Sequence, residues 1–287
     1  MRYLKNSGGS VAGIIPSQNG SLVECLVSQG HSFFACLFER ADGCKMVENG
    51  YRYREGVPIT AYYFDCGKTL GRLHRLSKQY RPVHRRHDFF DRYSEAFIAA
   101  TVPAPLRLLR EKMNALLRQL RALPRNAETY GMVHFDFSDG NYHVDFKTGQ
   151  ITVFDFDNSC TCWYLYDLAD LWLSGTGWFG FEPDARKRRA LMDAYFKTAL
   201  KGYRTETDFP PEQLFYLPLF IKTLQLESIL DYFETLRLRG EAVSVCDEDI
   251  SYRIRCLEED IPYMGFFHGI YRPETPFECE PRVLQDC

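Results

Sequence analysis

The first fifty residues read as β, in short apolar runs with the spacing of strands. "SLVECLVSQ" and "HSFFACLFER" are rich in Val, Leu and Phe and meet at a turn containing Gly30, the pattern of a hairpin. "ADGCKM" breaks that pattern, and from "DCGKTLGRLHRLSKQY" the period lengthens to that of a helix, with Leu70, Leu73, His74 and Leu76 on one stripe. A second amphipathic helix is predicted through "PAPLRLLREKMNALLRQLRAL". There Leu106, Leu109, Met113, Leu116, Leu117 and Leu120 keep the helical spacing, and Pro103 and Pro124 bracket the run. The stretch "YGMVHFDFSDGNYHVDFKTGQITVFDFDNS" reads as short strands and loops, with Thr148-Gly149 turning between "YHVDF" and "ITVFDF". Beyond about residue 163 the runs "YLYDLADLWL", "DARKRRALMDAYFKTAL", "PPEQLFYLPLFIKTLQLESILDYFETLRLRG" and "DEDISYRIRCLEEDI" are helical, and no internal repeat is evident.

Composition narrows the picture. A chain of 287 residues can bury a large core, and 15% aromatic content excludes a disordered chain. A net charge of −3 gives no case for nucleic acid or a membrane surface as partner. No run of about 18 apolar residues exists, and "MRYLKNSGGSVAG" lacks the apolar region of a signal peptide, so the expectation is a cytoplasmic protein. Ten cysteines stand at 25, 36, 44, 66, 160, 162, 246, 256, 279 and 287 without a CxxC pair, and Cys160-Thr-Cys162 has the wrong spacing for a zinc knuckle. They are expected to be reduced thiols, several of them buried. Charge is uneven: residues 68–125 carry about ten more basic than acidic side chains, and 205–260 are acidic by about eight. Two explanations stand, solvated helix faces or an acidic half that lines a pocket for a cationic substrate.

The concentrated polar chemistry lies in "HFDFSDGNYHVDF" and "VFDFDN". Asp136 and Asn141 are five apart across a loop, and Asp155 follows at the far end of the predicted hairpin. A hairpin folds its ends together, so Asn141 and Asp155 can face one point with Asp136 beside them. One carboxylate and one amide oxygen suit Mg²⁺, which keeps waters and substrate phosphates in its other positions. A third, uncoordinated carboxylate can orient a hydroxyl and accept its proton. That set suffices for phosphoryl transfer. Taken singly these are ordinary turn residues, and Asp139-Gly140-Asn141 would suit a tight turn by itself.

"VHFDFSDGNYHVD…GQITVFDFDNS…YDLADLW" resembles the motif of the aminoglycoside phosphotransferase and choline kinase superfamily, H-G-D-x-x-x-x-N, then I-D-F/W-D, then D-L-A. This is the small-molecule counterpart of the protein-kinase catalytic loop and its metal-binding D-F-G. The resemblance implies an α+β, protein-kinase-like fold with a partial small β lobe and a large, mainly helical lobe. It makes Asp136 the catalytic base and Asn141 and Asp155 the Mg²⁺ ligands. His134 would brace the loop, Asp157 would help shape the site and Asp167 would be a helix brace. Phe135 stands where most relatives have Gly. "FFACLFERADG" resembles the last strand of the small lobe running into the hinge, where backbone groups of Glu39, Arg40 and Ala41 would meet adenine. "LGRLHRL" resembles the helix that follows. The implied division is 1–43 for the β-lobe remnant and hinge, and 44–287 for the helical lobe, with the catalytic loop at 131–158 and variable substrate-binding helices at 180–287.

The implied reaction moves the γ-phosphoryl group of Mg·ATP to a hydroxyl of a small molecule such as an aminoglycoside, choline or another amino alcohol, or a homoserine-like compound. Its partners would be the nucleotide and that acceptor, with no nucleic acid and no membrane. The family's Gly-rich hairpin, its strand Lys and the Glu-bearing helix are not in view. "MRYLKNSGGS" resembles only the end of that helix, and neither Lys5 nor Lys45 has a V-A-I-K context. Three explanations stay open: a fragment, a natural short form with weakened ATP binding, or elements supplied by a partner or dimer mate. The alternative functions are a non-catalytic pseudokinase-like binding module or inactive fragment, and a protein Ser/Thr kinase of the same fold. A metal-dependent hydrolase fits less well, because His-rich ligands are lacking.

Overall fold

Pro58 starts the long helix of the N-terminal half six residues earlier than periodicity suggests. The run Ile59–Phe64, β-like by composition, is its first turns, and Tyr62 and Tyr63 are buried there. The computed structural model describes residues 1–180, 182–242, 245 and 247–264. In chain order the elements are α1 (Arg2–Asn6), β1 (Ile14–Ile15), β2 (Glu24–Ser28), β3 (His31–Ala35), β4 (Leu37–Phe38), α2 (Ile59–Gln79), α3 (Phe89–Arg92), α4 (Glu95–Thr101) and α5 (Arg107–Ala122). There follow β5 (Tyr130–Met132), β6 (Tyr142–Val144), β7 (Ile151–Val153), β8 (Thr161–Trp163), α6 (Tyr164–Phe179), α7 (Ala185–Tyr203), α8 (Leu217–Arg239) and α9 (Glu248–Glu258). This is an α+β chain whose strands form antiparallel pairs: β1 with β4, β2 with β3, β5 with β8 and β6 with β7.

Two compact units emerge. The first combines Met1–Val83, His134–Ser159 and Lys197–Asp208; the second combines His84–Val133, Cys160–Phe196 and the described residues from Phe209 on. In the first unit α2 lies so close to the end of α7 that side chains are excluded from the contact. A Cβ on Gly67 would meet the Ala199 carbonyl oxygen at 1.7 Å, and one on Gly71 the Tyr203 oxygen at 2.4 Å. The buried His74 Nδ1 meets the Tyr203 hydroxyl at 2.8 Å across that contact. The β6–β7 hairpin completes the core: Val11 bridges Val153 on one side and Cys44 bridges Val144 on the other. The β2–β3 hairpin pairs Leu26 with Phe33 and Cys25 with Phe34, and its two turn residues, Gln29 and Gly30, both have left-handed φ (52° and 81°), as a tight two-residue hairpin turn requires.

In the second unit the predicted stripe Leu109, Met113, Leu116, Leu117 and Leu120 is the buried face of α5. Trp163 stacks edge-on against Tyr130 and Phe220, and the Arg125 guanidinium lies over the Phe90, Tyr130 and Trp163 rings at 4.9–5.2 Å. The uneven charges find each other. Within this unit Arg92 pairs with Asp231 and Glu234, and Lys112 with Asp260; within the first, Arg72 and Arg75 both hold Glu206. Four acidic residues of 205–260, Glu206, Asp231, Glu234 and Asp260, thus pair with the basic segment, and Asp231 and Asp260 remain partly solvent-exposed, as solvated helix faces would have them. The described cysteines are free thiols, with 66, 160, 162 and 256 buried; Cys246, Cys279 and Cys287 lie outside the described residues. No described helix is long and apolar enough to cross a membrane.

Candidate active site

The loop between β5 and β6 is held by its own backbone. Ser138 N–H donates to the Asp136 carbonyl at 3.0 Å, and Asn141 N–H to Ser138 at 2.9 Å. The Asn141 side chain closes the turn, Nδ2 donating to the same Asp136 carbonyl at 3.0 Å, which orients the amide with its oxygen turned elsewhere. At the other end of the hairpin, Phe154 N–H donates to the Asn141 carbonyl at 3.0 Å, which sets Asp155 beside the loop. His134 is buried and bridges the two strands of chain. Its Nε2 donates to the Phe154 carbonyl at 2.9 Å and its Nδ1 accepts from Asp136 N–H at 3.3 Å, while the ring packs on Phe156 at 4.4 Å. Those two bonds define one tautomer, with the proton on Nε2.

Two residues of the site adopt left-handed φ without being glycine: Phe135 at 74° and Asp155 at 63°. Such a conformation costs a non-glycine residue about 1 kcal/mol or more and collects at functional sites. Phe135 occupies it with its ring buried, so burial offsets the backbone cost.

The electrostatics are crowded with negative charge. The Asp155 carboxyl is held above the usual carboxylate range, first by a shared hydrogen bond with Asp157, then by burial and by the charges of Asp157 and Asp136, with His134 pulling the other way. Asp139 is raised by burial, against the pull of Lys45. Asp157 is exposed and caps its own turn, accepting from Asn158 N–H at 2.9 Å. The donor set fits a hard divalent cation: the Asn141 amide oxygen and a carboxylate destabilised by its neighbours are what Mg²⁺ binds, and a cation there would relieve the repulsion.

Thus Asp136, Asn141, Asp155, His134 and Asp157 come together in the first unit. Asp167 belongs to the second unit, fully buried in the first turn of α6, where a carboxylate complements the helix dipole. In the segment expected to be the hinge, Glu39 N–H donates to the Gly13 carbonyl at 2.8 Å, and its carboxylate accepts from Lys5 Nζ at 2.7 Å and from Gly13 N–H. The Ala41 carbonyl accepts from His143 Nδ1 at 3.1 Å; Arg40 is exposed. Sequence reasoning treated Asp139 as a turn residue, and its neighbour Lys45, 94 positions away, offered no local signal.

Comparisons with known proteins point to one family and one fold. The sequence profile of the Phosphotransferase enzyme family matches residues 1–206. Amicoumacin kinase of Bacillus subtilis (strain 168) is 30% identical over 226 residues, which cover 77% of this chain and 64% of that protein, so the chain spans under two thirds of that relative's length. Among solved structures, an amicoumacin kinase in complex with AMP-PNP, Ca²⁺ and Ami superposes with a TM-score of 0.75 at 24% identity, covering 91% of this chain and 75% of the other. A microcompartment-associated aminopropanol kinase gives 0.63 at 21% identity, covering 92% and 81%. The fold is thus the protein-kinase-like one that the motif implied, and the chain belongs to the phosphotransferase enzyme family.

Proposed function

We propose that the chain transfers the γ-phosphoryl group of ATP to a hydroxyl of a small molecule. The observation that carries this reading is the joining of Asp136, Asn141 and Asp155 by the Asn141 amide and the Phe154–Asn141 backbone bond. Asp136 orients the acceptor hydroxyl and takes its proton as the oxygen attacks phosphorus. Asn141 and Asp155 hold Mg²⁺, which supplies charge neutralisation on the phosphates. His134 keeps the loop and the Asp155 strand in register through its two hydrogen bonds. Asp157 sets the charge felt by Asp155, and the backbone of Glu39–Ala41 meets the adenine. Asp167 acts on its own unit as a brace for α6.

The acceptor is an amino-bearing alcohol. The name of the aminopropanol kinase supports that class, whereas the acidic excess supports it less, since Glu206, Asp231, Glu234 and Asp260 are paired with arginine and lysine. A cytoplasmic setting fits the free thiols.

The test is two-fold. Thermal unfolding with Mg·ATP should raise the midpoint, and Asp155→Ala should abolish the shift, since only a ligand of the folded state stabilises it. Phosphate transfer to a panel of amino alcohols should then fall about 10²- to 10⁴-fold in Asp136→Asn, the range of general-base catalysis. A Mg·ATP shift that survives Asp155→Ala, or transfer that survives Asp136→Asn, would sink the assignment.

A further inference from the structure

The β6–β7 hairpin has two unlike faces. Tyr142 and Val144 of β6 and Ile151 and Val153 of β7 point into the core, each at most 3% exposed. The residues between them alternate to the other face, which is half-exposed. There Asn141 and His143 follow one another along one strand, about 7 Å apart. The register sets Thr152 opposite His143, and the backbone bond from Phe154 to Asn141 carries the ladder one pair further.

His143 is held on that face from two sides. Its Nδ1 lies 3.1 Å from the Ala41 carbonyl oxygen, and because a carbonyl only accepts, Nδ1 carries the proton. The ring meets Phe154 edge-on, with centroids 4.9 Å apart and planes at 83°. A second link, made of backbone alone, follows three residues beyond Ala41, where Cys44 and Val144 exchange N–H···O bonds of 3.2 and 2.9 Å. Gly43, with a φ of 82°, turns the chain away between the two links. The backbone ladder therefore stops short of Ala41, and the imidazole joins that carbonyl to β6.

The two ends of the proposed nucleotide site thus meet on one side chain. We propose that His143 is a positioning residue: by binding the Ala41 carbonyl from the strand that carries Asn141, it fixes the spacing between the base-binding backbone and the metal ligands. That role rests on assigning Glu39–Ala41 to adenine and Asn141 and Asp155 to Mg²⁺. A ligand that bridges two anchors gains when binding at one end holds the other in place, and preset spacing increases that gain. A ligand of one end alone gains nothing from the spacing.

Three ligands separate this role from a direct contact. Mg·ATP spans both ends, adenosine reaches the base end only, and tripolyphosphate with Mg²⁺ reaches the metal end only. Their affinities are read by calorimetric titration. His143→Phe keeps a ring against Phe154 and loses the donor. In it Mg·ATP should bind about fivefold more weakly, the worth of one hydrogen bond, while adenosine and Mg·tripolyphosphate bind as in the parent. His143→Asn places an amide N–H at the same bond count from Cβ as Nδ1 and should restore Mg·ATP binding. The side chain is half-exposed, so both variants should keep the parent's melting midpoint without ligand. Parent-like Mg·ATP binding in His143→Phe would overturn the positioning role. So would an equal weakening of adenosine or Mg·tripolyphosphate, which would make the imidazole a contact of one end, or a failure of His143→Asn to recover. Mg·ATP binding that Asp155→Ala abolishes but His143→Phe leaves unchanged removes only this role. A parent with no such Asp155-dependent binding removes the phosphoryl-transfer reading and this role with it.

Discussion

The first unit contains two antiparallel hairpins with similarly apolar sequences and opposite fates. In β6–β7, Val144 and Val153 are fully buried, flanked by Val11 and Cys44 on the two edges. In β2–β3, Val27 is 72% exposed and Phe34 79% exposed, and every residue from Cys25 to Phe34 is solvent-accessible. Strand propensity is the same in both, so propensity is not what distinguishes them. An isolated two-stranded hairpin is marginal in water, whereas one locked between neighbours inherits the stability of the core. Only the locked hairpin can hold side chains to the tolerance that chemistry demands, and the candidate catalytic groups sit on its ends.

The sharpest way to break this contrast is to disturb the support of the buried hairpin. Gly43 has a φ of 82°, and a Cβ there would lie 2.0 Å from the Val144 carbonyl oxygen, a backbone atom that cannot move aside. Gly43→Ala therefore combines left-handed strain of about 1–2 kcal/mol with overpacking of about 1–3 kcal/mol. A loss of about 3 kcal/mol is expected by denaturant unfolding, together with loss of any Mg·ATP-dependent stabilisation. A variant as stable as the parent would mean that the hairpin is not held as described.

The same contrast explains what could be read in the sequence. Asp136, Asn141 and Asp155 lie within twenty residues of one another, and folding one hairpin is enough to gather them, so the candidate site was legible from spacing. The stripe of α5 was legible because period alone determines its buried face. What was not legible depends on distant partners. Asp139 feels Lys45, Glu206 takes Arg72 and Arg75, and Arg92 takes Asp231 and Glu234, all across more than 90 residues. The start of α2 was missed because Ile59–Phe64 has the composition of a strand, and burial of Tyr62 and Tyr63 overrides it. β-rich runs and turn residues marked both hairpins without saying which would be covered, because coverage is supplied by other segments.

A smaller effect is expected at the turn of the exposed hairpin. Gly30 has a φ of 81° but nothing within 4 Å of an added Cβ, so Gly30→Ala costs only the strain, about 1 kcal/mol. Because β2–β3 opens locally, that cost should leave the global midpoint nearly unchanged and appear as faster hydrogen exchange at the Glu24–Ala35 amides. Amides of β6–β7 should keep their protection. Equal protection of the two hairpins in the parent chain would erase the distinction.

The smallest effect is also the most discriminating. Val27 pairs with Ser32 and shares its face with Cys25 and Phe34, an apolar patch facing solvent. Val27→Lys on a surface strand should change stability by less than about 0.5 kcal/mol, as exposed substitutions do. A lysine on such a strand also discourages edge-to-edge association, so light scattering at high protein concentration should fall relative to the parent. The informative failure is a loss above about 1 kcal/mol that depends on protein concentration. That result would mean Val27 is covered in solution by another polypeptide surface, and the two hairpins would then differ in what covers them, not in whether they are covered.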